Sequence, residues 1–163
     1  MSDAYSPPST SAVPDQAPQG PRYVKVQAPS ISPVVTYALM GVCILVYVGQ
    51  LAGQYIWGFD LLAGLGAKVN EAILEGQLWR LVTPMFLHGS LAHIAFNVYA
   101  LYNLGRGLES SYGHLRFLLL YLIAGMAGNL ASFALTPSAS LGASTAIFGL
   151  LAAALTFGIG RLI

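Results

Sequence analysis

The chain has 163 residues, a net charge of +1 and a mean hydropathy of +0.67, with 56% hydrophobic and 8% charged residues. A soluble domain carries about 25% charged residues, and four of the charges here (Asp3, Asp15, Arg22, Lys25) lie before residue 34. The nine that remain cannot solvate 130 residues, which excludes an ordinary cytosolic enzyme and marks an integral membrane protein. The near-neutral balance points to no nucleic acid, and a single cysteine, Cys43, excludes an internal disulfide framework.

Residues 1–33 hold seven of the nine prolines, interspersed with Ser, Ala and Gln. Such a segment buries too little apolar surface to offset its ordering entropy, so a disordered tail is expected. It lacks the apolar run of a signal peptide. The membrane domain is expected over 34–163. Four uncharged stretches follow at 34–59, 81–105, 117–135 and 141–160, each near the roughly 20 residues a spanning helix needs. The second holds Pro84, Gly89 and two histidines in its first half, so its span is placed from about Ser90 to Glu109, behind an irregular lead-in.

The connection between the first two spans, roughly 30 residues, is too long for a simple turn. Within it Val69, Ala72, Ile73 and Gly76 recur at helical spacing beside Lys68, Glu71 and Glu75, as in a short amphipathic helix at the membrane interface. With the N-terminus inside, the inner loops carry Arg22, Lys25, Arg106, Arg116 and Arg161 against Lys68 and Arg80 outside. The positive-inside rule therefore predicts a cytoplasmic N-terminus.

Polar side chains inside a bilayer are costly and face a cavity, a partner or the bundle interior. His93 and Asn97, four residues apart, share one helix face, with His88 five residues before His93. They fit either a hydrogen-bonded cluster tying helices together or a reactive site. Metal binding is disfavoured, because the spacing lacks the Glu and the i, i+4 histidines of a zincin helix. Gly142-Ala143-Ser144-Thr145 opens the fourth span. A serine there can cap the helix, or attack a carbonyl while neighbouring N–H groups stabilise the oxyanion. Gly105, Glu109 and Gly113 fall at i, i+4 and i+8 and read as a structural face on which Gly permits close backbone approach.

Together and in order, these pieces resemble the rhomboid family of intramembrane serine proteases. The matching residues are Trp79-Arg80, His88-x4-His93-x3-Asn97, Gly105-x3-Glu109-x3-Gly113 and Gly142-Ala143-Ser144, continued by Ala146-Ile147-Phe148-Gly149-Leu150. The resemblance runs from about Leu61 to Leu151. It implies an all-α, polytopic bundle with four of the family's six core spans present, in a bacterial-type cell membrane. It also implies Ser144 as nucleophile, His93 and Asn97 in the oxyanion hole, and His88 supporting a polar, water-bearing entrance. Trp79 and Arg80 would stabilise the first loop. The substrates implied are transmembrane segments of single-pass or polytopic membrane proteins, cleaved without metal or other cofactor.

Two departures stand out. The family usually has Gly after the nucleophile where this chain has Thr145, whose Cβ and methyl are expected to crowd the oxyanion hole or its packing. The family also takes its general base from a histidine on the sixth span. This sequence stops nineteen residues after Ser144, and its third histidine, His114, falls near the opposite membrane face. A fragment, inactive alone, is therefore expected. The alternatives are a non-catalytic rhomboid-like protein that binds client transmembrane helices and, more remotely, a small transporter or channel subunit.

Overall fold

In the computed structural model, residues 31–160 are described, with side chains as far as Thr156. The expected tail, apart from its last three residues, lies outside the described residues, as do Arg22, Lys25 and Arg161. Six helices appear in chain order: α1 (Val34–Trp57), α2 (Leu61–Gly66), α3 (Asn70–Leu74), α4 (Leu91–Tyr112), α5 (His114–Leu135) and α6 (Ser144–Gly160). Two 3-10 turns, Leu78–Leu81 and Thr83–Phe86, precede α4. The described residues contain no strand, and one isolated antiparallel bridge joins Lys68 to Ser140.

α1, with 24 residues, and α5, with 22, are long and apolar enough to cross a bilayer, and α6 is apolar over Ser144–Thr156. α4 also has 22 residues, about 33 Å of helix at 1.5 Å per residue. His93, Asn97, Asn103, Arg106 and Glu109 dilute its apolar character. The outer surface is apolar where these helices face away from one another: Leu45, Phe96, Tyr99, Leu130 and Phe148 are all exposed. Apolar exposure on this scale is foreign to soluble monomers and fits lipid contact. The molecule is an all-α integral membrane bundle.

The buried face of α4 follows helical periodicity through Ile94, Asn97, Leu101, Gly105 and Leu108. Leu101 and Leu108 meet Leu39 of α1, Phe117 and Tyr121 of α5, and Ala146 and Leu150 of α6 in one core. Met85, from the second 3-10 turn, is completely buried in the same core. The first loop is therefore folded into the bundle as well as lying at its edge. Asn129 of α5 holds it there by donating to the Leu81 carbonyl at 3.0 Å.

At the other end of the bundle, α1 begins after Pro33 with no side-chain cap of its own. Glu109 of α4 takes that role. Its two carboxylate oxygens accept from the Val35 and Thr36 amides, both at 2.8 Å, and from the Thr36 hydroxyl at 2.6 Å. A carboxylate at the positive end of a helix dipole is favourably placed, and His114 Nδ1 lies 2.5 Å from it on the other side. Gly105 makes room for this contact, since a Cβ there would lie 2.8 Å from Thr36 Cγ2. Gly113 departs from the expected common face. It lies just past α4 with φ +81°, and a Cβ there would meet nothing within 4 Å, so its requirement is the left-handed turn into α5.

The interior of the first loop was not legible as a pattern. α2, begun by Asp60 accepting from the Ala63 amide at 2.9 Å, ends with four carbonyls that each receive a side-chain donor. Arg80 donates to Gly64 O (2.9 Å) and Ala67 O (2.8 Å), Trp79 Nε1 to Leu65 O (3.1 Å), and Thr83 Oγ1 to Gly66 O (2.7 Å). Backbone carbonyls at a helix C-terminus have no partner within the helix, and here Trp79, Arg80 and Thr83 supply one for each.

The expected interfacial helix is present but shorter, as α3, with Ile73 buried and Glu71 and Glu75 exposed. Lys68 corrects the reading. Expected beside a solvated charged face, it is wholly buried, and its ammonium is directed at carbonyls of the α5 terminus and the segment after it.

Candidate active site

Ser144 is the first residue of α6 and half-buried. The chain reaches it through Gly142, whose amide donates to the Pro84 carbonyl at 2.8 Å and whose φ is +130°. A Cβ at Gly142 would lie 2.5 Å from His93 Cε1, 2.6 Å from His93 Nε2 and 3.5 Å from Ser144 Oγ. Only a residue without a side chain lets this backbone lie against the imidazole beside the serine hydroxyl. The positive end of the α6 dipole and the first amides of that helix are at the same place.

His93 stands in the first turn of α4, which Ser90 caps by accepting from the His93 amide at 3.2 Å. Asn97 follows one turn later on the buried face, and its Nδ2 has no hydrogen-bond partner within the described residues. The rings of His88 and His93 meet edge to face with centroids 5.3 Å apart. His88 is buried, and both of its ring nitrogens lack a protein partner.

Gln50 of α1 fixes His88 from behind, a residue the sequence reading missed. Its amide oxygen accepts from the His88 amide at 2.9 Å, while its nitrogen donates to His88 O (3.1 Å) and Asp60 Oδ2 (2.7 Å). The available signal was a glutamine, one of two with Gln54, in an otherwise largely apolar span. Burial, reinforced by the neighbouring His93, pushes the His88 imidazole down to about 4, so it is neutral near pH 7.

Thr145 points at α5, where a Cβ on Gly128 would lie 2.5 Å from Thr145 Cβ and 2.9 Å from its Cγ2. The extra bulk expected to crowd the oxyanion hole is therefore received in a recess left by Gly128 on the neighbouring helix. Ser144, Gly142, His93 and His88 share one neighbourhood, with Asn97 one turn along the same helix. Trp79 and Arg80 belong to the frame of the first loop, and Gly105, Glu109 and Gly113 to the opposite end of α4. Among the described residues, no group of three or more His, Cys, Asp or Glu side chains is arranged to hold a metal ion.

A polytopic helical bundle with a serine at a helix start, an imidazole against the approaching backbone and unpartnered donors nearby defines a class of intramembrane site suited to carbonyl chemistry. The match to known proteins gives the family. Residues 75–162 match the Rhomboid domain, and the chain belongs to the rhomboid family. It is 44% identical over 123 residues to Rhomboid protease GluP of Bacillus subtilis (strain 168), a match covering 76% of this chain and 24% of that protein. It is 36% identical over 114 residues to RHOMBOID-like protein 9, chloroplastic, of Arabidopsis thaliana, covering 70% of this chain and 26% of the other. The similarity to Putative rhomboid protease YdcA of Bacillus subtilis (strain 168) is 35% over 122 residues, covering 72% and 59%. The match thus spans about a quarter of the first two relatives' length.

Proposed function

We propose that this chain supplies the nucleophile and oxyanion-binding half of a rhomboid-type intramembrane serine endopeptidase. The observation that carries the reading is that the space a Cβ on Gly142 would take, at the start of α6, is bounded by both the His93 imidazole and the Ser144 hydroxyl. Ser144 Oγ attacks the scissile carbonyl of a client transmembrane segment. Asn97, His93 and the amides at the α6 start stabilise the oxyanion. The proton on Ser144 goes to a base, assigned by family resemblance to a histidine on the sixth span of the whole protein. Water arriving on the His88 side then hydrolyses the acyl-enzyme.

A helical client hides its amides in i to i−4 hydrogen bonds, so segments weakened by Gly, Ala or Pro near the outer face are the favoured substrates. The tail at 1–33 is placed in the cytoplasm of a bacterial-type cell, with the membrane domain from residue 34 onward, and the site opens near the outer face.

The test is cleavage of a reconstituted membrane substrate by the intact protein. Ser144→Ala is expected to reduce cleavage to background. Asn97→Ala is expected to cost about 2.7–4 kcal/mol in kcat, as removal of an oxyanion donor does. Undiminished cleavage by Ser144→Ala would overturn the assignment. If the wild type cleaves no client yet co-purifies with one, and Ser144→Ala does so too, the helix-binding pseudoprotease is the correct reading.

A further inference from the structure

A lysine ammonium removed from solvent is held in place by the groups that receive its protons. Lys68 is wholly buried in the first loop, and its Nζ donates to Ser132 O (3.2 Å), Thr136 O (2.9 Å) and Ser138 O (2.8 Å). The first two are carbonyls at the C-terminal end of α5, where the helix dipole is negative; Ser132 O also accepts from the Thr136 amide at 2.9 Å. The third belongs to the irregular segment joining α5 to α6. The backbones are tied at the same point, Lys68 N to Ser140 O at 2.9 Å and Ser140 N to Lys68 O at 3.1 Å. Asn70 adds a second pair, donating to Phe133 O (3.0 Å) and Thr136 O (3.2 Å). Burial pulls the lysine below its ordinary range, with Glu71 opposing. The first loop thus grips the α5–α6 connection at residue 140 through Lys68 and again at residue 142 through Pro84, immediately before Ser144.

Resting on the nucleophile reading of Ser144, we propose that Lys68 is a positioning residue for the reaction: its ammonium and its backbone bridge to Ser140 fix the path of residues 137–143 and hence the placement of Ser144 against His93. Lys68 touches neither substrate nor reacting atoms. It acts through Leu141, Gly142 and Ala143, three residues of chain with no regular structure, so its loss moves the hydroxyl while leaving α4, α5 and α6 in place. Displacing a reacting group by about 1 Å costs on the order of 100-fold in rate, a scale that a released connection of this length reaches.

The experiment uses the intact protein in detergent. Fluorophosphonate phosphonylation of the wild type, in which Oγ displaces fluoride from phosphorus, and its absence in Ser144→Ala test the nucleophile reading by itself. Hydrogen exchange of the peptide covering residues 138–144 tests the positioning role without reference to chemistry. Lys68→Met is expected to speed exchange there while the centre of α5 stays protected, and to slow phosphonylation about tenfold or more. In proteolysis, the loss falls on kcat with KM little changed.

A second variant covers the case in which Lys68→Met does not fold. Lys68 and Ser140 exchange both backbone hydrogen bonds, so their Cα atoms are about 5.5 Å apart, within disulfide range. In a Cys43→Ala background, oxidised Lys68→Cys/Ser140→Cys is expected to label at close to the wild-type rate, and the reduced form to label slowly. Unchanged exchange and phosphonylation in Lys68→Met would overturn the proposal, as would equal labelling of the oxidised and reduced double variant.

Discussion

Two polar regions of this molecule treat their hydrogen bonds in opposite ways. In the first loop, the Gly64, Leu65, Gly66 and Ala67 carbonyls each receive a donor from Trp79, Arg80 or Thr83. Lys68 spends its ammonium on three more carbonyls. Around Ser144, both His88 ring nitrogens, Asn97 Nδ2 and Thr145 Oγ1 are buried without a protein partner. A buried polar group left unpaired is costly, and at depth in a membrane protein it marks a place of function before it marks a place of stability. The paired region, in which Asn70 Oδ1 is the exception among the described residues, is a frame. In the unpaired one, under the proposed function, an incoming carbonyl or water completes the bonding.

That contrast predicts stability loss without a change of mechanism on the frame side, and activity loss without unfolding on the site side. The largest effect is expected from Arg80→Met. It strands two carbonyls, Gly64 and Ala67, beneath a residue only 7% exposed. At about 1–3 kcal/mol for each unsatisfied group, thermal melting should fall sharply, and Trp79→Phe, losing one bond, should cost less. A melting temperature unchanged in Arg80→Met would remove the frame half of the comparison.

Gly142→Ala comes next, with the opposite signature. Its Cβ would meet the His93 ring at 2.5 Å from a backbone with φ +130°, so activity should drop about 100-fold with a smaller change in melting. Wild-type kcat in this variant would mean that the Gly142–His93 contact carries no chemistry.

Gly128→Ala should destabilise the bundle by about 1–3 kcal/mol through overpacking against Thr145. Adding Thr145→Gly should restore most of that, a coupling that a double-mutant cycle of unfolding measurements reads directly. Additive effects would show that Gly128 does not serve Thr145.

The smallest effect concerns pH. His88 sits at about 4 in the fold against an ordinary 6.5, so between those values the unfolded chain binds the proton more readily. Stability should therefore decline as pH falls from about 6.5 toward 4, and His88→Gln should show a shallower decline over that window. Identical slopes for the two proteins would remove His88 as the buried neutral group.

Much of the architecture was readable from composition and period. α1 and α5 follow from long uncharged runs. Ser90 announced the start of α4, which runs three residues past the expected Glu109. Gly142-Ala143-Ser144 marked the start of α6. The first loop resisted the same reading because its order comes from distant partners. Lys68 reaches carbonyls 64 to 70 positions away and Arg80 reaches back 13 and 16, separations invisible to a helical window.

Glu109 shows the same limit. Its spacing with Gly105 marks a structural face, but its main partners are amides more than 70 residues earlier, with His114 beside it. Gln50 and Asn129 carried a signal that was present and unused, each an amide side chain within an apolar span.

The central claim is that Ser144 is the nucleophile of a site built by α4 and α6. The most direct measurement is peptide mapping, by mass spectrometry, of the intact protein after reaction with a fluorophosphonate. The adduct is expected on Ser144, and it should diminish in Asn97→Ala and vanish in Ser144→Ala. An adduct on another residue, or substrate cleavage that continues while Ser144 stays unmodified, would contradict the account.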